Sequence, residues 1–406
     1  DLNAAYSGLL GVPDDGEREA PLPDLHARAV ELEGEIGRLR LQSAAAGSPS
    51  ELFAVPMSPD AIQDDLPPDA ALLAYHVAGD EILAFVHTRG QIRVARHLGS
   101  VTAVQRLLRK LDSQWDRFGA GREFTERHMP LLERSARQVL AALYAELVAP
   151  VEPLLEQVAD PLPGETGLDR KLAVVPHGPL HRVPFHALFD DERYLIERFE
   201  VSYAPSATVY ALCQERDARG LGGALVLGVE DPSIPAAVDE TRAVSKHLPG
   251  ANVRVGEEAT LTALWSEAPG RGALHLACHG LFRADNPMFS ALKLHDGWLL
   301  AADAMGLDLD GALVTLSACE SGRSEVIGGD EILGLTRAFL GAGAATLAVS
   351  LWLVQDETTA ELMGGWYERL RDGEQPVAAL RAAQLGLKER HPHPYYWAPF
   401  VLIGKR

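Results

Sequence analysis

At 406 residues the chain exceeds one ordinary domain and can bury two cores. A formal charge of −20 excludes the concentrated basic surface that nucleic acid or an anionic membrane would require, so neither is expected as a partner. Three cysteines (Cys213, Cys278 and Cys319) are too few for a disulfide framework and point to a reducing, cytoplasmic setting.

No apolar run approaches the roughly 20 residues of a membrane span, and no signal peptide is visible. The chain starts at Asp1, not methionine, which fits a trimmed chain or a fragment of a longer one. Residues 1–65 are rich in Pro, Gly, Ser and acids, apart from one helical stretch between Pro23 and about Gln42. There Leu25, Ala29, Leu32, Ile36 and Leu39 form one apolar stripe, with Asp24 placed as its N-cap. The stripe is too short for a coiled coil and is expected to pack on the protein's own body.

From Leu66 the texture changes. Ala71 to Val77, Glu81 to Thr88 and Gln91 to His97 read as an antiparallel meander, with turns at Gly79 and Gly90. Two amphipathic helices follow, marked by Val104 to Trp115 and by Val139 to Leu147, and then a buried strand at Lys171 to Val175. These belong to a first unit, 66–218. A second unit, 219–406, opens with a strand at Ala224 to Val229, a helix from Ala236, a short strand at Asn252 to Val255 and a short helix at Leu261 to Ser266. Next come the apolar run Ala273 to Gly280, a hairpin over Ala291 to Leu299, and the apolar run Leu313 to Gly322. A helix carrying Ile332 to Leu340, with Asp330 as its cap, leads to a strand at Ala345 to Trp352. Two helices between Asp356 and Glu389 and a last strand at Trp397 to Ile403 complete the chain. Strands alternating with helices predict an α/β fold with a mostly parallel sheet covered on both faces.

Two of those strands end on chemically capable side chains, ALHLACHG on His279 and LVTLSACESG on Cys319. Reactive groups gather at the C-terminal ends of parallel strands. If the two strands are neighbours, a histidine meets a cysteine there, the minimum equipment for thiolate catalysis. A buried, inert cysteine and a satisfied structural histidine fit the same residues taken singly. Gly280 lets a backbone N–H approach a substrate carbonyl closely. Cys278, next to His279 in a strand, points to the opposite face and reads as core.

Other histidines carry less. His275 and His279 are spaced as a metal pair, but HLACH lacks the glutamate of a zinc protease and reads as a strand, so no metal or cofactor is expected. His177, His181 and His186 suit turn capping or packing, and His391 and His393 sit among prolines in a loop. The segment Gly328-Gly329-Asp330 lacks the lysine of a phosphate loop.

Taken together, HLACHG, SALKLHDG, LVTLSACESG, GLTRAFLGAGA, AVSLW with DETTAELM, and YYWAPFVLIG resemble the CHAT family of caspase-like cysteine peptidases, related to separase. VVPHGPLHRVPFHAL and ALVLGVEDP upstream are similar to further blocks of that family. The resemblance implies a caspase-like fold in two lobes, a pseudo-protease lobe over 66–218 and an active lobe over 219–406. It implies Cys319 as nucleophile, His279 as general base and then acid, and the N–H groups of Gly280 and Cys319 as oxyanion donors. No third residue of a triad is assigned. Ser350, Leu351 and Trp352 resemble the edge on which such enzymes pair an extended protein substrate. Ser317 stands where relatives that cut after Arg or Lys often carry an aspartate, so an uncharged or small apolar side chain before the cut is expected. Asp330, Glu331, Asp356 and Glu357 could still supply negative charge to the pocket, Asp356 being counted with Ser317, Ser350, Leu351 and Trp352 as substrate-binding, although capping and helix solvation are the simpler roles for these acids. The implied function is a specific endopeptidase in bacterial defence or cell death, controlled by a sensor or regulatory partner. The alternative is a latent scaffold.

Overall fold

Short β-rich runs alternating with amphipathic helices build one large mixed sheet in the computed structural model. The structure describes residues 27–32, 56–156, 170–231, 234–283, 286–320, 331–352 and 357–405, with backbone alone at 65, 319, 320 and 331–333. Its strands are β1 (Ala70–Ala78), β2 (Glu81–Thr88), β3 (Gln91–Ala95), β4 (Arg170–Val175), β5 (Phe199–Tyr203), β6 (Leu225–Gly228) and β7 (Asn252–Val255). They continue with β8 (Ala273–Leu281), β9 (Ala291–Leu294), β10 (Gly297–Leu300), β11 (Leu313–Glu320), β12 (Thr346–Ser350) and β13 (Phe400–Gly404). Helices of seven residues or more are α1 (Pro59–Asp65), α2 (Val101–Trp115), α3 (Arg122–Leu147), α4 (Ala207–Glu215), α5 (Ala236–Ser245), α6 (Leu261–Glu267), α7 (Glu331–Gly341), α8 (Glu357–Arg371) and α9 (Pro376–Arg390).

Among the described residues the sheet has 13 strands in the order β10-β9-β8-β11-β12-β13-β5-β4-β1-β2-β3, with β6 and β7 branching from β8. The branch divides one side of β8. Its first half, Leu274 to Ala277, pairs in parallel with β6. Its end, His279 to Leu281, pairs antiparallel with β9. On its other side β8 runs parallel to β11, which runs parallel to β12. The sheet is therefore parallel through β6, β8, β11 and β12, while the β1–β2–β3 meander and the β9–β10 hairpin are antiparallel. Strands from the two halves of the chain meet where β13, antiparallel to β12, lies parallel to β5 through the pair Ile403 and Tyr203.

The apolar patterning explains this layering. Every residue of β8 is buried, as a strand covered on both faces requires. Trp366 of α8 and Trp397 are the largest fully buried side chains. Trp115 at the end of α2 stacks on Trp352 just beyond β12, their rings 4.9 Å apart, a contact between the two halves worth about 1 kcal/mol beyond the area it buries. Residues 27–32 are helical, and Ala29 packs with Leu281, Phe289, Ala291, Trp298 and Leu300, so that part of the N-terminal stripe lies on the protein's own body. Asp24, Leu25, Ile36 and Leu39 lie outside the described residues.

Three features differ from the sequence expectation. Strand β5 was not expected, because the buried Glu200 and Ser202 interrupt its apolar run. Helix α3 begins at Arg122, well before the apolar stripe at Val139. The last strand, expected from Trp397, begins at Phe400, because Pro394–Trp397 form a short helix.

Two buried histidines give the fold a pH dependence. His186 faces the Tyr203 hydroxyl through Nδ1 and the Ala398 carbonyl through Nε2, and burial pushes its pKa down to about 4. His393, packed between Trp115 and Phe118, is likewise pushed down to about 4 by burial. An unfolded chain protonates its histidines near pH 6.5, whereas the folded one resists until about pH 4. Stability is therefore expected to fall as pH drops through that window, by up to ~3 kcal/mol per histidine. Urea midpoints at pH 7 and 4.5 check this. His186→Gln, which keeps a donor and an acceptor, should shrink the loss, and an equal loss in the variant would remove His186 as its cause.

Candidate active site

The C-terminal ends of parallel strands are where a chain can bring side chains together without burying loops. Here β6, β8, β11 and β12 lie side by side in that sense, and each contributes a residue at or just past its end. Cys319 and His279 are direct register partners across β11 and β8, and Glu320 is the partner of Gly280. From β12, the Ser350 hydroxyl donates to the Ala318 carbonyl at 3.2 Å and ties that strand end to the one carrying Cys319. From beyond β6, the Asp231 carboxylate reaches His279 Nε2, with Oδ2 at 3.4 Å.

His279 is buried. Burial lowers its pKa most, Asp231 opposes that shift, and Lys293, its register partner on β9, adds to the lowering. The result is a net downward shift from the ordinary imidazole value. Gly280 is tightly flanked, since a Cβ there would lie 2.7 Å from the Phe282 ring and 3.6 Å from Ala318 Cβ. Any side chain at this position would have to displace that ring.

Beneath the site, on the same face of β8 and β11, a polar network is buried. The Ser317 hydroxyl donates to Glu240 Oε2 at 2.8 Å. Glu240 Oε1 stands 3.3 Å from His275 Nε2, close but outside hydrogen-bond geometry. His275 Nδ1 faces the Tyr367 hydroxyl, which also meets Thr315 Oγ1 at 2.7 Å. Burial raises the Tyr367 pKa well above the ordinary phenol value, so its hydroxyl stays protonated. Glu240 comes from α5 and Tyr367 from α8, so two helices and two strands are joined by this network.

The expected site residues are distributed as follows. Ser317 is engaged by Glu240, and no residue between Ser317 and Cys319 separates it from the register of His279 except Ala318. Leu351 donates its main-chain N–H to the Pro399 carbonyl at 2.7 Å, and Trp352 donates Nε1–H to the Tyr395 carbonyl at 3.0 Å while stacking on Trp115. Asp330 and Asp356 lie outside the described residues. Cys278 is in the core. His177 accepts from the Val77 N–H, a capping role. Asp231 and Glu240 were not singled out from sequence. The signal for Asp231 was present in ALVLGVEDP, an acid just past a predicted strand, whereas Glu240 reads as an ordinary helix-surface charge.

A family model, the CHAT domain, matches residues 137–405. This chain belongs to the CHAT domain family. Two curated relatives, tetratricopeptide repeat protein 28 of Homo sapiens and of Mus musculus, are each 28% identical over 331 residues, covering 66% of this chain and 13% of the relative. The chain thus corresponds to a small fraction of those proteins' length. Among solved structures, the Saccharomyces cerevisiae separase–securin complex is similar in two crystal structures, with TM-scores of 0.61 and 0.56 at 12% identity, covering 85% of this chain and 30% of the matched chain. At that identity the likeness concerns the fold, which is the caspase-like α/β arrangement of a mostly parallel sheet flanked by helices.

The buried network has a direct consequence for stability. Glu240→Ala should destabilise the protein by on the order of 2–5 kcal/mol, because it empties a buried side-chain volume and leaves the Ser317 hydroxyl and the neighbouring His275 ring without the carboxylate. Ser317→Ala removes one hydroxyl donor and should cost about 1–3 kcal/mol. Chemical-denaturation midpoints measure both. Equal effects would mean that His275 does not depend on Glu240.

Proposed function

We propose that this CHAT protein is a cysteine endopeptidase working through a His279 and Cys319 dyad. The observation that carries this is the register of β8 and β11, which sets the two residues opposite one another at the C-terminal edge of a parallel sheet. With Nε2 of His279 turned to Asp231, Nδ1 is the nitrogen that serves Cys319. In the reaction, His279 takes the thiol proton as Cys319 attacks the scissile carbonyl. The tetrahedral oxyanion is held by the N–H groups of Gly280 and Cys319, and His279 then protonates the leaving amine. Water hydrolyses the thioester that remains. A neutral, buried imidazole, as the lowered pKa of His279 provides near pH 7, suits the base role.

The substrate is a protein segment bound as an extended strand along Ser350, Leu351 and Trp352. In the present conformation the Leu351 N–H is bonded to the Pro399 carbonyl, which supports a latent state opened by a regulatory partner or sensor. The yeast separase neighbour was crystallised with securin, which is in keeping with control by a bound protein. We place the enzyme in a defence or cell-death pathway, with residues 66–218 as a lobe that carries no dyad. Since Glu240 is already engaged by Ser317 and His275, an uncharged residue before the cut remains the preferred substrate class.

The latent conformation also favours a second reading, a scaffold acting through protein contacts. A peptidyl ketone probe that alkylates thiolates separates the two. Labelling of wild-type protein that is lost in both Cys319→Ala and His279→Ala is the expected result, and an absence of labelling with and without cell extract would favour the scaffold. Cleavage of a peptide library should then show selection for uncharged residues before the cut, whereas strong selection for Arg or Asp would overturn that preference.

A further inference from the structure

We propose that Asp231 is a positioning residue for His279, fixing the ring so that Nδ1 faces Cys319. The inference rests on the dyad reading above and extends it to a residue that neither motif spacing nor family membership assigns.

The placement of Asp231 is built by the sheet. Strand β6 pairs in parallel with β8 up to Gly228 opposite Ala277, and the Val229 N–H donates to the Ala277 carbonyl at 2.9 Å, which extends the pairing by one residue. The chain beyond is thereby delivered beside His279. It turns there, the Ile234 N–H donating to the Asp231 carbonyl at 3.0 Å. Gly228 permits this path, because a Cβ at that position would lie 2.2 Å from the Thr241 Oγ1 of α5. A carboxylate just before a helix is usually its cap. Asp231 is not, because Pro235 holds the N-cap position of α5 and makes no side-chain cap. Its carboxylate is instead turned to Nε2 of a histidine that is 1% exposed, while Asp231 itself keeps 20% side-chain exposure.

A carboxylate on the distal nitrogen does two things for a base. It selects the tautomer with the proton on Nε2, leaving Nδ1 as the basic atom, and it stabilises the imidazolium that forms when the thiol proton arrives. Among the described residues, the charged groups acting on His279 are Asp231 past β6 and Lys293 on β9, with Cys319 its register partner on β11. Of those two charges Asp231 favours imidazolium, and it opposes the lowering imposed by burial and by Lys293.

The test is the pH dependence of Cys319 alkylation by iodoacetamide in the full chain, read by mass spectrometry, for wild type, Asp231→Asn, Asp231→Glu and His279→Ala. NMR titration of the His279 ring accompanies it. Asp231→Asn conserves volume, so circular dichroism and the denaturation midpoint verify that it folds. The expected result is a rate at pH 7 reduced on the order of tenfold in Asp231→Asn, partly restored in Asp231→Glu, with the His279 titration moved to lower pH. If His279→Ala slows alkylation and Asp231→Asn matches wild type in both rate and titration, Asp231 has no positioning role although the dyad stands. If wild-type Cys319 reacts like an ordinary thiol and His279→Ala changes nothing, the dyad fails and the role of Asp231 with it. Should Asp231→Asn fail to fold, Asp231→Glu alone decides, because a moved carboxylate must still shift the His279 titration.

Discussion

The parallel pairing of β8 with β11 is the constraint on which the site depends. His279 and Cys319 come from separate apolar runs, and nothing in either run places them together until the strands are neighbours in register. Each strand end is then extended outward by its other neighbour. Strand β6 delivers Asp231 on the far side of His279, and β12 ties Ser350 to the strand of Cys319. The candidate chemistry thus lies along one line perpendicular to the strands, with His279, Cys319 and Ser350 in three parallel strands and Asp231 just past the end of a fourth.

The strands themselves were legible because they are near-continuous apolar runs ending at glycine, as ALHLACHG and LVTLSACESG show. The meander, the hairpin over β9 and β10 and most helices were legible for equally local reasons, through Gly79, Gly90 and the amphipathic stripe of α2. Strand β5 was not, since Glu200 and Ser202 are buried within it and mimic a solvent-facing pattern. That omission has weight, because β5 is the strand that β13 meets across the middle of the sheet.

The residues around the site were less legible than the dyad positions. Asp231 and His279 approach through the pairing of β6 with β8, and strand order is not encoded in spacing. Glu240 lies in AAVDETRAVS beside Asp239 and Arg242, a sequence that reads as a solvated helix face. Its burial follows from packing α5 against both β8 and α8, which is a tertiary outcome. Ser317 changes meaning for the same reason. In the sequence it marks a missing acid, whereas in the fold it is held by one from another element.

A buried Glu240, His275, Ser317, Tyr367 and Thr315 network is an expensive way to fill a core, because apolar residues of similar volume often stabilise as much or more. Register offers a reason for retaining it. The polar residues of β8 and β11 in this network, His275, Thr315 and Ser317, all lie on the face shared by His279 and Cys319. A slip of one residue between two buried strands would exchange faces and set Cys319 against Cys278 or Gly280. An all-apolar pair of strands would resist that slip weakly, since both registers bury the same kind of surface. With Glu240 and Tyr367 fixed on α5 and α8, the slipped register instead buries Ser317 and Thr315 away from their partners, at roughly 1–3 kcal/mol per unsatisfied group. The network beneath the site therefore acts on the site above it, because the register that aligns His279 with Cys319 is the one in which Ser317 and Thr315 keep their partners on α5 and α8.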